Sequence, residues 1–232
     1  MKKFEDPNKV NGIYAFVLKN AQNTSDDIIN LIADSGLDEG GILFVHGPER
    51  SGKSIVAISL FNKLPNTKLS GRKVFFCQPL VNRPDVPKEK IVSRSGISMP
   101  VFSFANKSDI EKLFHENDIV IIDEIQFTPA ELQSFLIREM KIFVERGGWV
   151  ISMGLLYNSQ GGEFIISDLL TERAIKIYNL YSMCQMCGRK AYKYSQRLIN
   201  NKIAAIEEPE LLPPSSVVSY EPRCEDCFVV KR

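Results

Sequence analysis

The sequence predicts an α/β fold: a mostly parallel sheet with helices on both faces, carrying a small cysteine-tied appendage. Three observations predict it. From Gly41 onward, short continuous apolar runs alternate with helical segments, the pattern of parallel strands buried on both faces. A glycine-rich turn, "GPERSGKS", joins the first such run to a helix. Two C-x-x-C pairs lie in the last fifty residues. A chain of 232 residues has room for one core domain with a small appendage.

Residues 1–39 read as a leader with one amphipathic helix in "SDDIINLIADSG", opened by Ser25 as N-cap and closed by Gly36. The core is expected over 40–180. "GILFVHG" is its first strand and "KSIVAISLFNKL" its first helix. "KVFFCQP" follows as a strand and "PVFSF" as a shorter one. The helix "KSDIEKLFHEN" starts near Ser108 or Asp109. "DIVIID" is a strand. "PAELQSFLIREMKIFVERG" is a long helix with Pro129 in its first turn and Gly147 past its end, and "GWVISMGL" is another strand. Residues 181–232 hold a strand-like "AYKYSQRLI" and the irregular "EEPELLPPSSVVSYEPRC". That stretch has too little apolar content to fold alone, and a metal would close it.

The composition, 44% hydrophobic and 25% charged, is that of a soluble globular chain. A net charge of +1 supplies no field for nucleic acid, so no nucleic-acid partner is expected. The opening "MKKFEDPNKV" lacks an apolar signal region, and no apolar run approaches the roughly 20 residues that span a membrane. No membrane partner and a cytoplasmic location are expected. In a reducing compartment, four of five cysteines paired as C-x-x-C point to metal rather than disulfides. The fifth, Cys77 in "VFFCQ", reads as core.

"GPERSGKS" fits the phosphate-binding pattern G-x-x-x-x-G-K-[ST] in full, after a strand and before a helix. Gly47, Pro48, Glu49, Arg50, Ser51, Gly52, Lys53 and Ser54 therefore form a P-loop. Backbone amides and the helix N-terminus meet the phosphates, Lys53 reaches the β- and γ-phosphates, and Ser54 ligates Mg²⁺. About seventy residues on, "DIVIIDEIQF" runs an apolar strand into two carboxylates. Asp123 is the Mg²⁺-side acid. Glu124 is expected to point elsewhere because side chains alternate along a strand, leaving it free as a general base. That base would serve a hydroxyl in a kinase or water in an ATPase. Cys184, Cys187, Cys224 and Cys227 match a closed tetrahedral Zn²⁺ site, structural rather than catalytic. Taken alone, Phe127 is a turn residue of the core, Arg83 and Arg94 are surface cations, and His46 and His115 are structural.

In this order the motifs resemble the thymidine kinase family of bacteria, large DNA viruses and the animal cytosol. "GPERSGKS", "VNRP", "VSRSG", "IIDEIQF", "GLLYNSQGGEF", the two C-x-x-C pairs and "SYEPRC" carry the resemblance over roughly residues 40–230. D-E-x-Q-F is its most specific part. The resemblance implies a RecA-like core, a zinc-tied "lasso" over the base, a tetramer, and transfer of the γ-phosphoryl of ATP to the 5′-hydroxyl of thymidine or deoxyuridine. It implies catalytic roles for Glu124, Lys53 and Arg83. It puts Gln126 beside Asp123 with the cofactor group, and Phe127, Leu155, Phe164, Ser195 and Tyr220 around the nucleoside. The departures lie at Glu49 and Arg50, at Leu156 and Ser159, and in the lasso at Pro213–Ser216. The phosphoryl-transfer residues match, whereas the base-reading residues are altered. The alternative is a P-loop ATPase whose zinc ribbon acts on nucleic acid or a partner protein. The kinase reading requires the loop and the acid pair to share one cleft that admits a nucleoside.

Overall fold

Burial on both faces of one sheet sets the architecture. The computed structural model describes residues 7–36, 39–80, 90–92, 98–212 and 214–231. Its strands are β1 (Gly41–His46), β2 (Val74–Pro79), the short antiparallel pair β3 (Lys90–Val92) and β4 (Ser98–Pro100), β5 (Phe102–Phe104), β6 (Ile119–Ile122), β7 (Trp149–Gly154) and β8 (Lys176–Asn179). The helices are α1 (Pro7–Asp34), α2 (Lys53–Lys63), α3 (Lys107–His115), α4 (Ala130–Glu145) and α5 (Ile165–Arg173). Six strands form the sheet β5-β2-β6-β7-β1-β8, and every pairing in it is parallel. The predicted fold class holds.

Alternate residues of each strand feed opposite cores. Leu43 and Val45 of β1, with Ile119, Ile121 and Ile151, pack among Ile28, Val56 and Leu60 of α1 and α2. Ile42 and Phe44, with Val120, Ile122 and Val150, pack among Ile110, Leu136, Met140 and Ile166 of α3, α4 and α5. Strands buried on both faces read as unbroken apolar runs, which is why they were legible. The β1 and β6 strands are not neighbours; β7 lies between them. The turns after β1, β6 and β7 therefore open at one edge of the sheet, where ligands of open parallel sheets bind.

Several local expectations are corrected. Ser25 does not open a helix. It lies buried inside the 28-residue α1, where its Oγ donates to the Gln22 carbonyl (2.8 Å) and meets Ser59 Oγ at 3.0 Å. A buried serine satisfied by its own helix and by α2 has no need to cap. The helix α3 does start near Ser108 and Asp109, at Lys107, and its cap is Asn106, whose side chain accepts from the Asp109 amide at 3.0 Å. Pro129 is the N-cap of α4 and precedes its first turn; Gly147, at φ 83°, follows its end. "AYKYSQRLI" divides into two strands: β9 (Ser182–Met183) pairs with β10 (Lys190–Ala191), while β11 (Tyr194–Ile199) lies between β12 (Lys202–Ile203) and β13 (Val218–Arg223), all antiparallel.

Candidate active site

The phosphate loop spans the turn from β1 to α2. Arg50 (φ 63°) and Gly52 (φ 95°) put positive φ at two of its positions, the backbone geometry of an anion nest. Lys53 is 7% exposed, and its Nζ donates to the carbonyls of Gly47 (2.9 Å) and Pro48 (3.0 Å). Its charge is thus held inside the loop, where a polyphosphate would meet it. Among the described residues, Ser51 Oγ is buried without a hydrogen-bond partner.

Asp123 and Glu124 lie just past the end of β6. What separates them is a left-handed turn at Glu124 (φ 54°), not the alternation of a strand. Asp123 is fully buried. Its Oδ1 accepts from the Glu124 amide at 2.9 Å, and among the described residues its Oδ2 has no well-formed hydrogen bond. Burial raises the Asp123 pKa against the opposing pull of the Ser54 hydroxyl and Lys53. An orphaned carboxylate oxygen beside a hydroxyl is a donor set that fits Mg²⁺. Burial also lifts Glu124 to about 7, helped by the charges of Asp123 and Glu49, with Lys53 and Gln126 opposing. Gln126, expected with the cofactor group, instead orients Glu124. Its Nε2 donates to Glu124 Oε2 at 2.5 Å while its Oε1 accepts from the Leu155 amide at 3.1 Å.

Glu124 and Glu49 line one cavity together with Phe127, Leu155, Phe164, Ser195 and Tyr220. The five expected nucleoside-side residues thus meet Glu124 and one phosphate-loop residue, Glu49, there. Arg83 and Pro213 lie outside the described residues. Ser195, on β11, accepts from the Glu49 amide at 2.8 Å and so ties the cysteine-bearing part to the phosphate loop. The free space is about 30 Å³, well below the ~300 Å³ at which ligand pockets begin, because residues 210–212 close against it. A larger cleft of about 510 Å³, lined by Lys68, Phe114 and Arg146 among others, lies away from the loop.

The sequence reading assigned no role to Arg197. It is 2% exposed; its Nη1 and Nη2 each donate at 2.5 Å to the Pro209 and Glu210 carbonyls, and its Nε donates to Tyr220 Oη at 2.9 Å. Tyr220 Oη in turn donates to the Leu212 carbonyl. Asn158 Nδ2 holds Glu210 Oε1 at 2.8 Å. The signal was present in "SQRL": a strand puts Ser195 and Arg197 on one face.

The four cysteine sulfurs lie within 4.8 Å of one another. Sulfurs bound to one tetrahedral Zn²⁺ at ~2.3 Å would be about 3.8 Å apart, so the cluster fits a metal ion. The Arg189 side chain bonds to Cys187 Sγ (3.5 Å) and draws its pKa down to about 6, toward the ligating thiolate.

A family model described as thymidine kinase matches residues 40–228. The chain belongs to the thymidine kinase family. Among solved structures, domain III of the Thermotoga maritima replication initiation protein DnaA aligns at 13% identity and TM-score 0.45, over 69% of this chain and 65% of that one. Pif1 helicase from Candida albicans aligns at 12% and 0.41, over 69% and 39%. The Legionella pneumophila ATPase DotB aligns at 18% and 0.39, over 71% and 46%. The chain spans less than two thirds of each, and at these scores they add nothing to the reading of function. Among the described residues no helix is long and apolar enough to cross a membrane.

Proposed function

We propose that this chain transfers the γ-phosphoryl of ATP to the 5′-hydroxyl of thymidine or a related deoxynucleoside. One observation carries the reading: Glu124 and Glu49 of the phosphate loop line a single cavity walled by Phe127, Leu155, Phe164 and Tyr220. Lys53 and the loop amides hold the triphosphate. Glu124, with a pKa of about 7, accepts the hydroxyl proton as the new O–P bond forms and the bond to the β-phosphate bridge breaks. Ser54 and Asp123 would hold Mg²⁺, which neutralises phosphate charge when bound. Arg83 is assigned a charge-neutralising role by family resemblance. Nucleoside entry requires residues 210–212 to swing outward. The cysteine cluster takes a structural Zn²⁺, and the working unit is a homo-oligomer, a tetramer by family resemblance.

The test is a panel: ATP–Mg²⁺ with each deoxynucleoside and ribonucleoside, scored for monophosphate. Thymidine or deoxyuridine monophosphate is expected, and Glu124→Gln should keep ATP binding while losing about 10²- to 10⁴-fold in turnover. Nucleic-acid-stimulated ATP hydrolysis with no nucleoside phosphorylated would overturn the reading in favour of an ATPase.

A further inference from the structure

Helix α1 lies outside the family match, which begins at residue 40, yet it touches the phosphate loop itself. Gly52 needs glycine twice over. Its φ of 95° is left-handed, and a Cβ there would lie 3.1 Å from Val17 Cγ1 and 3.2 Å from Ala21 Cβ. The backbone at the mouth of α2 is thus seated directly on α1. The carbonyl of Gly52 accepts from the amides of Ile55 and Val56, both at 3.0 Å, so its position sets the first turn of α2.

The other end of the loop is bounded as well. A Cβ on Gly47 would lie 2.4 Å from the Leu180 carbonyl, and the Leu180 amide donates to His46 at 2.7 Å. The next residue, Tyr181, packs on Phe16 of α1 at 5.2 Å between ring centroids. Tyr181 also contacts Tyr192 (5.2 Å), and Lys190 stands 4.4 Å over its ring. Farther along, α1 is anchored to the sheet edge by Asp27, which accepts from Lys176 Nζ (2.6 Å) and Tyr178 Oη (2.7 Å).

We propose that α1 is a positioning element for the phosphate loop: Val17 and Ala21 seat Gly52, while Phe16 joins that seat to the Leu180–Tyr181 segment bearing on Gly47. The helix thereby tunes triphosphate affinity from outside the family core, and Val17 is its principal positioning residue.

The experiment compares Val17→Ala, Val17→Ile and Ile28→Val in the full chain. Ile28 is buried on the same helix against the core, away from the loop. Two readouts are taken below the melting temperature: amide hydrogen exchange over residues 49–54, and binding of a non-hydrolysable ATP analogue. Val17→Ala should exchange faster in that window and bind the analogue about tenfold more weakly, with Val17→Ile restoring both. Ile28→Val should lower the melting temperature and leave both unchanged. The proposal fails if Val17→Ala and Ile28→Val behave alike, or if Val17→Ala changes only the melting temperature. The exchange readout is independent of catalysis, so it can succeed even if the kinase reading is wrong.

Discussion

Glu124 occupies a backbone region that few non-glycine residues adopt, and Gln126 ties its carboxylate to β7 through Leu155. That coupling could not be read from strand alternation, since the strand ends at Ile122. Arg197 works in a comparable way on the opposite wall. Its planar fork satisfies two consecutive carbonyls, a geometry that a lysine cannot reproduce. Hydrogen bonds to charged groups contribute about 1.5–3 kcal/mol each, so losing one corresponds to about 10- to 100-fold. In Arg197→Lys the KM for the nucleoside should rise by that factor, while the KM for ATP stays within about twofold. Steady-state kinetics against each substrate would decide it; an unchanged nucleoside KM in a folded variant would release Arg197 from its role in placing residues 209–212.

The elements legible in advance were those whose partner is a broad apolar face. The strands β1, β6 and β7 and the helices α2 and α4 declare themselves by continuous or 3.6-residue patterns. The sequence shows only the second part of α1, because Ser25 looks like a cap when its partner, Ser59, is 34 residues away. The cysteine-bearing part depends least on apolar burial: its cluster comprises Cys184, Ala191 and Cys224, with Met186 and Cys227 packed alongside. So small a core contributes a few kcal/mol, whereas structural zinc contributes about 10–16 kcal/mol in small metal-dependent folds. The chain should carry one zinc, and a strong chelator should make residues 184–227 protease-sensitive while the sheet's circular dichroism persists. Replacing Cys187 with Ser should weaken zinc retention at least tenfold. Metal analysis showing no zinc, with proteolysis indifferent to chelator, would remove the metal from the account.

Across the whole molecule, His46 links the phosphate loop to global stability. It ends β1 at 7% exposure, its ring 5.4 Å from Phe44, and burial first and the Lys53 charge second lower its pKa from 6.5 to about 4. The unfolded chain therefore binds a proton at this imidazole below about pH 6.5, while the folded chain stays neutral there until about pH 4. Within that window the unfolded state holds more protons, so stability falls as pH falls. At about 1.4 kcal/mol per pH unit, His46 alone accounts for a loss of about 3 kcal/mol by the lower end. That is a large share of the 5–15 kcal/mol typical of a folded domain. Urea unfolding of the parent and His46→Asn from pH 7.5 to pH 4.5 isolates this part, because the carboxylates titrate alike in both. The parent should lose stability more steeply by about that amount, and the two curves should converge toward the acid end. Curves that stay parallel across the window would mean that the imidazole is solvated or already paired, and that acid sensitivity originates elsewhere.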